Sequence, residues 1–336
     1  MAILSTACGG GGPSGPDSQD HSGPLFSVSP MPLETIHQIS PVGSNNKIFP
    51  VGHTYWLSCD EQLSWGGTPE EQAANPDCHL ERQVLVAPGP GVVRWVNPAE
   101  DGAVTVTTPG GNYDWTMGHV TPLVTEGTRV TAGQPVARML YRHGFDFGVL
   151  QVKGGKVNGL ANPERFPPYP PVHPISLYGE PLRTQLINFV PTVEGDKLGK
   201  QHWDVPGTAM GAWFLEGAPA GNLLGPHGVP YNLYFGRFTL RQSVRFVAVG
   251  RPWPGQVNQT LTLDPAGRDW EAITPASGRV AQRMWHGTQT GLVTQFEWPA
   301  GTIVVEMLAA DRLRIEWFDT HEPVTEFTAA SRVYIR

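Results

Sequence analysis

His53, His119 and Asp146 are side chains of the types that move protons or hold metal ions, and each stands on a short, mostly apolar stretch of chain. His53 precedes Tyr55, Trp56 and Leu57, a setting that equally suits a half-buried, hydrogen-bonded histidine. His119 follows Trp115 and Met117 at the end of an apolar run, where a histidine can be a turn residue. Asp146 stands between Phe145 and Phe147, with Gly144 and Gly148 beyond them. In a strand, strict alternation puts both phenyl rings on one face and the carboxylate on the other, beside the glycines. Such a carboxylate faces solvent or a groove. His202-Trp203-Asp204 has the residue types of a hydrolytic relay without a nucleophile context, and no phosphate loop, dinucleotide fingerprint or paired-cysteine zinc motif is present.

The elements that must position these groups lie within residues 84–152. The stretch opens with Val84-Leu85-Val86-Ala87-Pro88-Gly89-Pro90-Gly91-Val92-Val93, which reads as a strand, a tight corner and a strand. Residues 103–107, a Pro109-Gly110-Gly111-Asn112 turn and residues 113–120 follow. Residues 124–137, punctuated by Gly127 and Gly133, lead to a last strand at 145–152. No piece has a helical period.

This order resembles the lysostaphin/LytM-type zinc endopeptidases, which cut peptidoglycan cross-links. Val84, Ala87, Pro88, Gly91 and Val93 fit that family's opening element and His119 its mid-domain histidine. Gly127, Val130, Gly133, Gln134 and Val136 fit its glycine–valine element, and Phe147 and Val149 its last strand, which there carries H-x-H-F. The resemblance implies an all-β chain beginning with a LytM/lysostaphin-like antiparallel sandwich. It also implies a zinc-ligand set of His53, Asp60 and Asp146, with His119 catalytic as a transition-state stabiliser if the domain is active. Aligning Phe147 places Asp146 on the zinc-binding histidine and Gly144 on the other one. The aspartate keeps a ligand but adds charge, and the glycine removes a candidate proton donor. The expectation is therefore a degenerate site without a bound cofactor, zinc being the alternative. His53, His119 and Asp146 should still meet in one concave site, about 4–6 Å apart, where charges couple strongly. Tyr55, Trp56, Trp65, Trp115 and Phe145 are expected to wall a binding groove, stacking on sugar or peptide.

With 336 residues, Gly 40, Pro 33, eleven Trp and only 16% charged residues, the composition is that of turn-rich β-structure in two domains. A net charge of −7 and a pI near 5.9 speak against sequence-independent nucleic-acid binding or an anionic membrane surface. The three cysteines divide two and one. Cys59 and Cys78 bracket a polar loop, where a disulfide would stabilise by about 3 kcal/mol in an exported protein. Cys8, after Ala2-Ile3-Leu4-Ser5-Thr6-Ala7 and before four glycines, resembles the end of a bacterial lipoprotein signal, although Ser5 stands where Leu is usual and no basic segment precedes it. Cys8 is thus the candidate lipidation site.

Along the chain, residues 1–35 read as a signal remnant and flexible tether, whose first thirty or so residues could be trimmed without effect. Residues 36–157 form the LytM-like domain, and 158–199 a proline-rich connector with a helix over 177–190 packed between the halves. Residues 200–336 form a second antiparallel sandwich or small barrel, with strands at 209–215, 231–240, 244–249, 259–263, 292–298, 302–308, 312–318 and 332–335. Gly211-Ala212-Trp213 with Arg332 or Arg336 resembles the lipocalin arrangement of a Trp beneath a terminal Arg.

Together these readings describe a non-catalytic, exported bacterial cell-envelope protein, tethered to the membrane only by lipid. It would bind cell-wall glycopeptide or an envelope protein complex. The alternatives are an active zinc metallopeptidase and a carrier of an apolar ligand in the C-terminal domain.

Overall fold

The computed structural model describes residues 24–43, 52–59, 74, 82–99, 101–141, 143–153, 169–192, 194–200, 202–218, 231–250, 260–290, 293–320, 322 and 324–336, with backbone alone over 287–298. The chain is all-β, as its turn-rich composition requires, and its strands pair antiparallel throughout.

The first unit is built from β1 (Gln38–Ile39), β2 (His53–Leu57), β3 (Val84–Val86), β4 (Gly91–Asn97), β5 (Ala103–Thr107), β6 (Tyr113–Gly118), β7 (Val120–Pro122), β8 (Arg129–Val130), β9 (Pro135–Met139), β10 (Gly144–Gln151) and β11 (Pro171–Val172). The large sheet runs β1-β2-β10-β6-β5-β4-β8, with β11 also on β10, and a small sheet runs β3-β9-β7. Their inner faces share one core. β2 contributes Trp56, β6 Trp115 and Met117, and β10 Phe145, Phe147 and Val149, while the small sheet adds Leu85, Val136 and Met139. Phe147 is the hub: its ring lies 5.7 Å from Trp56, 6.3 Å from Trp115 and 6.0 Å from Phe26. The alternation expected for β10 holds, with Phe145 and Phe147 inward and Asp146 and Gly148 on the half-buried outer face.

Two boundary expectations are corrected here. The segment from Pro24 on is packed, not a tether: Phe26 and Met31 are buried in this core. The backbone amides of Leu25 and Ser27 donate to Leu177 and Pro88. Sparse apolar residues hid a docked segment, because Phe26 and Met31 are spaced for an irregular chain and not for a strand or helix. The expected helix over 177–190 shrinks to a 3₁₀ turn, Pro174–Leu177, and α1, Leu182–Ile187. Its Leu186, together with Ile175, Tyr178 and Val190, belongs to the first core and not to a layer between the halves.

The second unit is a closed barrel of β12 (Gly211–Leu215), β13 (Asn232–Arg237), β14 (Arg245–Val249), β15 (Thr260–Leu263), β16 (Arg279–Thr290), β17 (Val293–Ala309), β18 (Arg312–Phe318) and β19 (Arg332–Ile335), each paired with the next and β12 with β19. The long β16 was not anticipated. Its inward Val280, Gln282 and Met284 include a polar residue that breaks the apolar alternation, Gln282 being buried against the Arg268 backbone. The two strands expected at 292–298 and 302–308 are one, since a register shift in the β16–β17 ladder absorbs the Pro299-Ala300-Gly301 sequence that reads as a turn. The Arg336 guanidinium lies 4.1 Å from the Trp213 ring centre and donates to the Val205 and Met210 carbonyls. Arg336, not Arg332, therefore covers the tryptophan. Trp213, Phe235, Trp270, Met284, Met307 and their neighbours pack as one buried cluster of this unit.

Candidate functional site

The outer face of the large sheet brings the three expected polar residues together. β10 is bonded to β2 on one side and β6 on the other, so Asp146 stands opposite both Tyr55 and Gly118, and Gly148 opposite His53. Asp146 Oδ2 lies 3.2 Å from His53 Nε2 and 3.1 Å from His119 Nε2. This is closer than the expected range, so the three form direct contacts. Glycines make the approach possible. A Cβ on Gly118 would stand 3.3 Å from Asp146 Cβ, and one on Gly148 3.1 Å from His53 Cβ. Gly144, at the motif position of the missing histidine, has no room at all: its Cβ would meet the Trp56 carbonyl oxygen at 2.5 Å.

His119 sits between β6 and β7 with φ 59°, a left-handed conformation that costs a non-glycine residue about 1–2 kcal/mol. Its carbonyl accepts from Leu140 N at 2.9 Å, fixing the corner. That corner points Nδ1 at Asp101 and Nε2 at Asp146. An imidazole with a carboxylate at each nitrogen is held as the doubly protonated cation, since only that form donates from both. The hydrogen bond with Asp146 is the main cause, and burial opposes it, giving a value raised to about 9. His53 behaves oppositely. Burial pushes it below its ordinary value, the Asp146 charge pulls back and the His119 charge adds to the lowering. His53 Nε2 is enclosed and not aligned for a hydrogen bond to Asp146 despite the short distance. The site is therefore a cationic His119 between two carboxylates, with a neutral His53 beside it.

Three further residues complete the cluster. Asp101 anchors Nδ1 of His119. The Tyr141 ring lies 5.6 Å from the His119 ring and stacks on His143 at 5.5 Å and 11°. His143 is held below its ordinary value by burial and by the His119 charge. Sequence reasoning missed all three. Asp101 sits in a polar turn that reads as a loop, while His143 was signalled by standing one residue before Gly144.

Solved structures similar to this chain are LytM/lysostaphin-type peptidases, matched in part and at low scores. A zinc-containing peptidase from Vibrio cholerae is 20% identical, with 38% of this chain and 37% of that one covered and a TM-score of 0.26. Csd3 of Helicobacter pylori is 14% identical over 40% of this chain and 33% of that one, with a TM-score of 0.27. The solution structure of lysostaphin is 10% identical over 74% and 87%, with a TM-score of 0.24. The chain thus spans about a third of the length of the first two proteins. No family model matches the chain, and no curated protein matches it.

The expected aromatic groove is corrected. Trp56, Trp115 and Phe145 are buried at 0%, 0% and 2% exposure, because alternation turns them to the core face, opposite Asp146. Tyr55 does share the outer face, its ring 5.1 Å from His53. Trp65, Asp60, Cys78 and Cys8 lie outside the described residues. Cys59 is buried and disulfide-bonded. Among the described residues no group of three His, Cys, Asp or Glu side chains is arranged to hold one metal ion. Among the same residues no helix is long and apolar enough to cross a membrane.

Proposed function

We propose that this chain is a non-catalytic protein of the bacterial cell envelope that binds cell-wall glycopeptide through the outer face of its first sheet. One observation carries the reading: both nitrogens of His119 and the shared oxygen of Asp146 are committed to one another and to Asp101. A hydrolytic zinc centre needs an open metal position and a free proton carrier. Here His119 and one oxygen of Asp146 are tied into an ion-pair network with Asp101, and the second motif position has no space for a side chain. What remains is a half-buried polar face floored by Gly118, Gly148 and Thr116, suited to a ligand and not to its cleavage. The order of motifs in residues 84–149 and the meeting of His53, His119 and Asp146 support the cell wall as the ligand. In this reading Cys59 pairs with Cys78, and Cys8 carries a lipid anchor in an exported protein.

Purified sacculi test it. The protein should sediment with them and release no soluble fragments, with or without added zinc, and should carry less than a tenth of a zinc per chain by elemental analysis. Release of peptide fragments that chelator abolishes would establish the active zinc peptidase instead.

A further inference from the structure

We propose that Trp95 and the hydroxyls beside it form a subsite for a neutral sugar ring of the cell-wall glycan; the inference deepens the cell-wall reading and rests on it. The register of the large sheet sets five residues in one row across its outer face. Trp95 on β4 is the partner of Thr105 on β5, Thr105 of Thr116 on β6, Thr116 of Gly148 on β10, and Gly148 of His53 on β2. All five are half-buried, so each keeps part of its surface open to solvent. With strands about 4.8 Å apart, the row runs about 19 Å from Trp95 to His53, over a floor of small side chains.

Trp95 belongs to this face because of one extra residue. The β4–β5 ladder shifts register between Val93 and Trp95, which makes Arg94 a bulge. Strict alternation would send Trp95 into the core with Val93. Instead Val96 packs against that core, and Trp95 stands opposite Thr105. Thr105 faces outward, its Oγ1 2.9 Å from Thr116 Oγ1. Arg94, re-aimed by the bulge, reaches Asp114 Oδ2 at 2.6 Å, which pins the bulge to the same face. The indole is thus the direct neighbour of a hydroxyl pair, since opposed Cβ atoms lie about 4.5–5.5 Å apart.

The chemistry of this end selects the ligand. β5, β6 and β10 each pair with a strand on both sides, so their backbone groups are taken up in ladders and no peptide strand can add to them. Side chains alone meet the ligand. Between the two threonines one hydroxyl hydrogen is used, leaving one O–H to donate and lone pairs to accept. A sugar ring is the counterpart of both features. It has a face of C–H groups to lie on the indole and hydroxyls at its rim that donate and accept.

The test offers the full chain two separated parts of the wall: glycan strands freed of peptide by an amidase, and the released peptides. Wild-type protein should bind the glycan strands in preference to the peptides, a comparison that needs no variant. Trp95→Ala and Trp95→Leu should each weaken glycan binding about tenfold, and Trp95→Phe and Thr116→Val about threefold. Leu308→Ala, at an exposed apolar residue of the barrel, should bind as the wild type does. Melting temperatures check that each variant is folded, and if Trp95→Ala is not, Trp95→Leu against Trp95→Phe decides. Glycan binding that Trp95→Leu leaves at wild-type strength, or a wild type that binds sacculi but not peptide-free glycan, overturns this inference and leaves the cell-wall reading standing. Binding to neither sacculi nor glycan overturns the two together.

Discussion

Replacing Asp146 with Asn keeps the side chain's shape and removes the charge that His119 and His53 share. In the wild type the His119 value of about 9, against an ordinary 6.5, corresponds to about 3 kcal/mol of stability. Because the folded value is raised, that stability is fully present below pH 6.5 and is lost as pH rises from 6.5 through 9. Part of the His119 environment is the half-exposed Asp101, so the Asp146 share is about 2 kcal/mol. The variant should therefore be less stable by about 2 kcal/mol at pH 6, and its stability should decline much less between pH 6.5 and 9. The two curves should approach each other near pH 9.5, where wild-type His119 is neutral as well. Below pH 6.5 both proteins lose stability, since burial holds His53 and His143 below their ordinary values, with His173 at about 3 and His202 at about 4. Urea denaturation at half-unit pH intervals measures the slopes, and the His119 ring proton in NMR spectra reports its titration directly. An Asn variant that keeps the full wild-type decline between pH 6.5 and 9 would refute the ion-pair account of the site.

Gly144→Ala should lower stability by about 2 kcal/mol and Gly144→His by more, since the clash with the Trp56 carbonyl begins at Cβ; a Gly144→Ala protein melting with the wild type would show that the strand can yield there. Arg336→Gln should weaken the barrel by about 2 kcal/mol, through loss of the stacked charge over Trp213 and two charge-assisted hydrogen bonds, read as a lower denaturant midpoint. Trimming the chain through Met31 removes Phe26 and Met31 from the first core and should cost about 4 kcal/mol or more, read as a lower melting temperature than the full chain.

The strands of the first unit were legible because their apolar residues alternate against glycine and proline punctuation, and Asp146 was legible because it interrupts such a strand between two rings. The aromatic residues misled for a related reason. Trp56, Trp115 and Phe145 were assigned to a groove by their chemistry, although the parity that sends Asp146 outward sends them inward. Parity was the stronger signal. Asp101 and Tyr141 were not legible, since they gather around the left-handed corner at His119, whereas His143 carried one signal, its place one residue before Gly144. Phe26 and Met31 were hidden because their contacts are made by irregular chain, where neither the helical nor the strand period operates.

Asp146 and Gly144 are also coupled through the structure. Asp146 stands on β10 against Gly118, whose missing Cβ leaves the carboxylate its place between His53 and His119. Two residues earlier, Gly144 is pressed against the Trp56 carbonyl and the Leu57 side chain, which the β2–β10 register places opposite it. Restoring histidine at 146 alone would set three imidazoles around one point and leave His119 only Asp101 to hold its charge. Restoring it at 144 as well would require β2 and β10 to separate where Trp56 and Leu57 are buried. A histidine at 144 thus works against the packing of the sheet. The carboxylate network follows from how β2, β6 and β10 fit together, and the glycines that interrupt those strands shape it as much as the charged residues do.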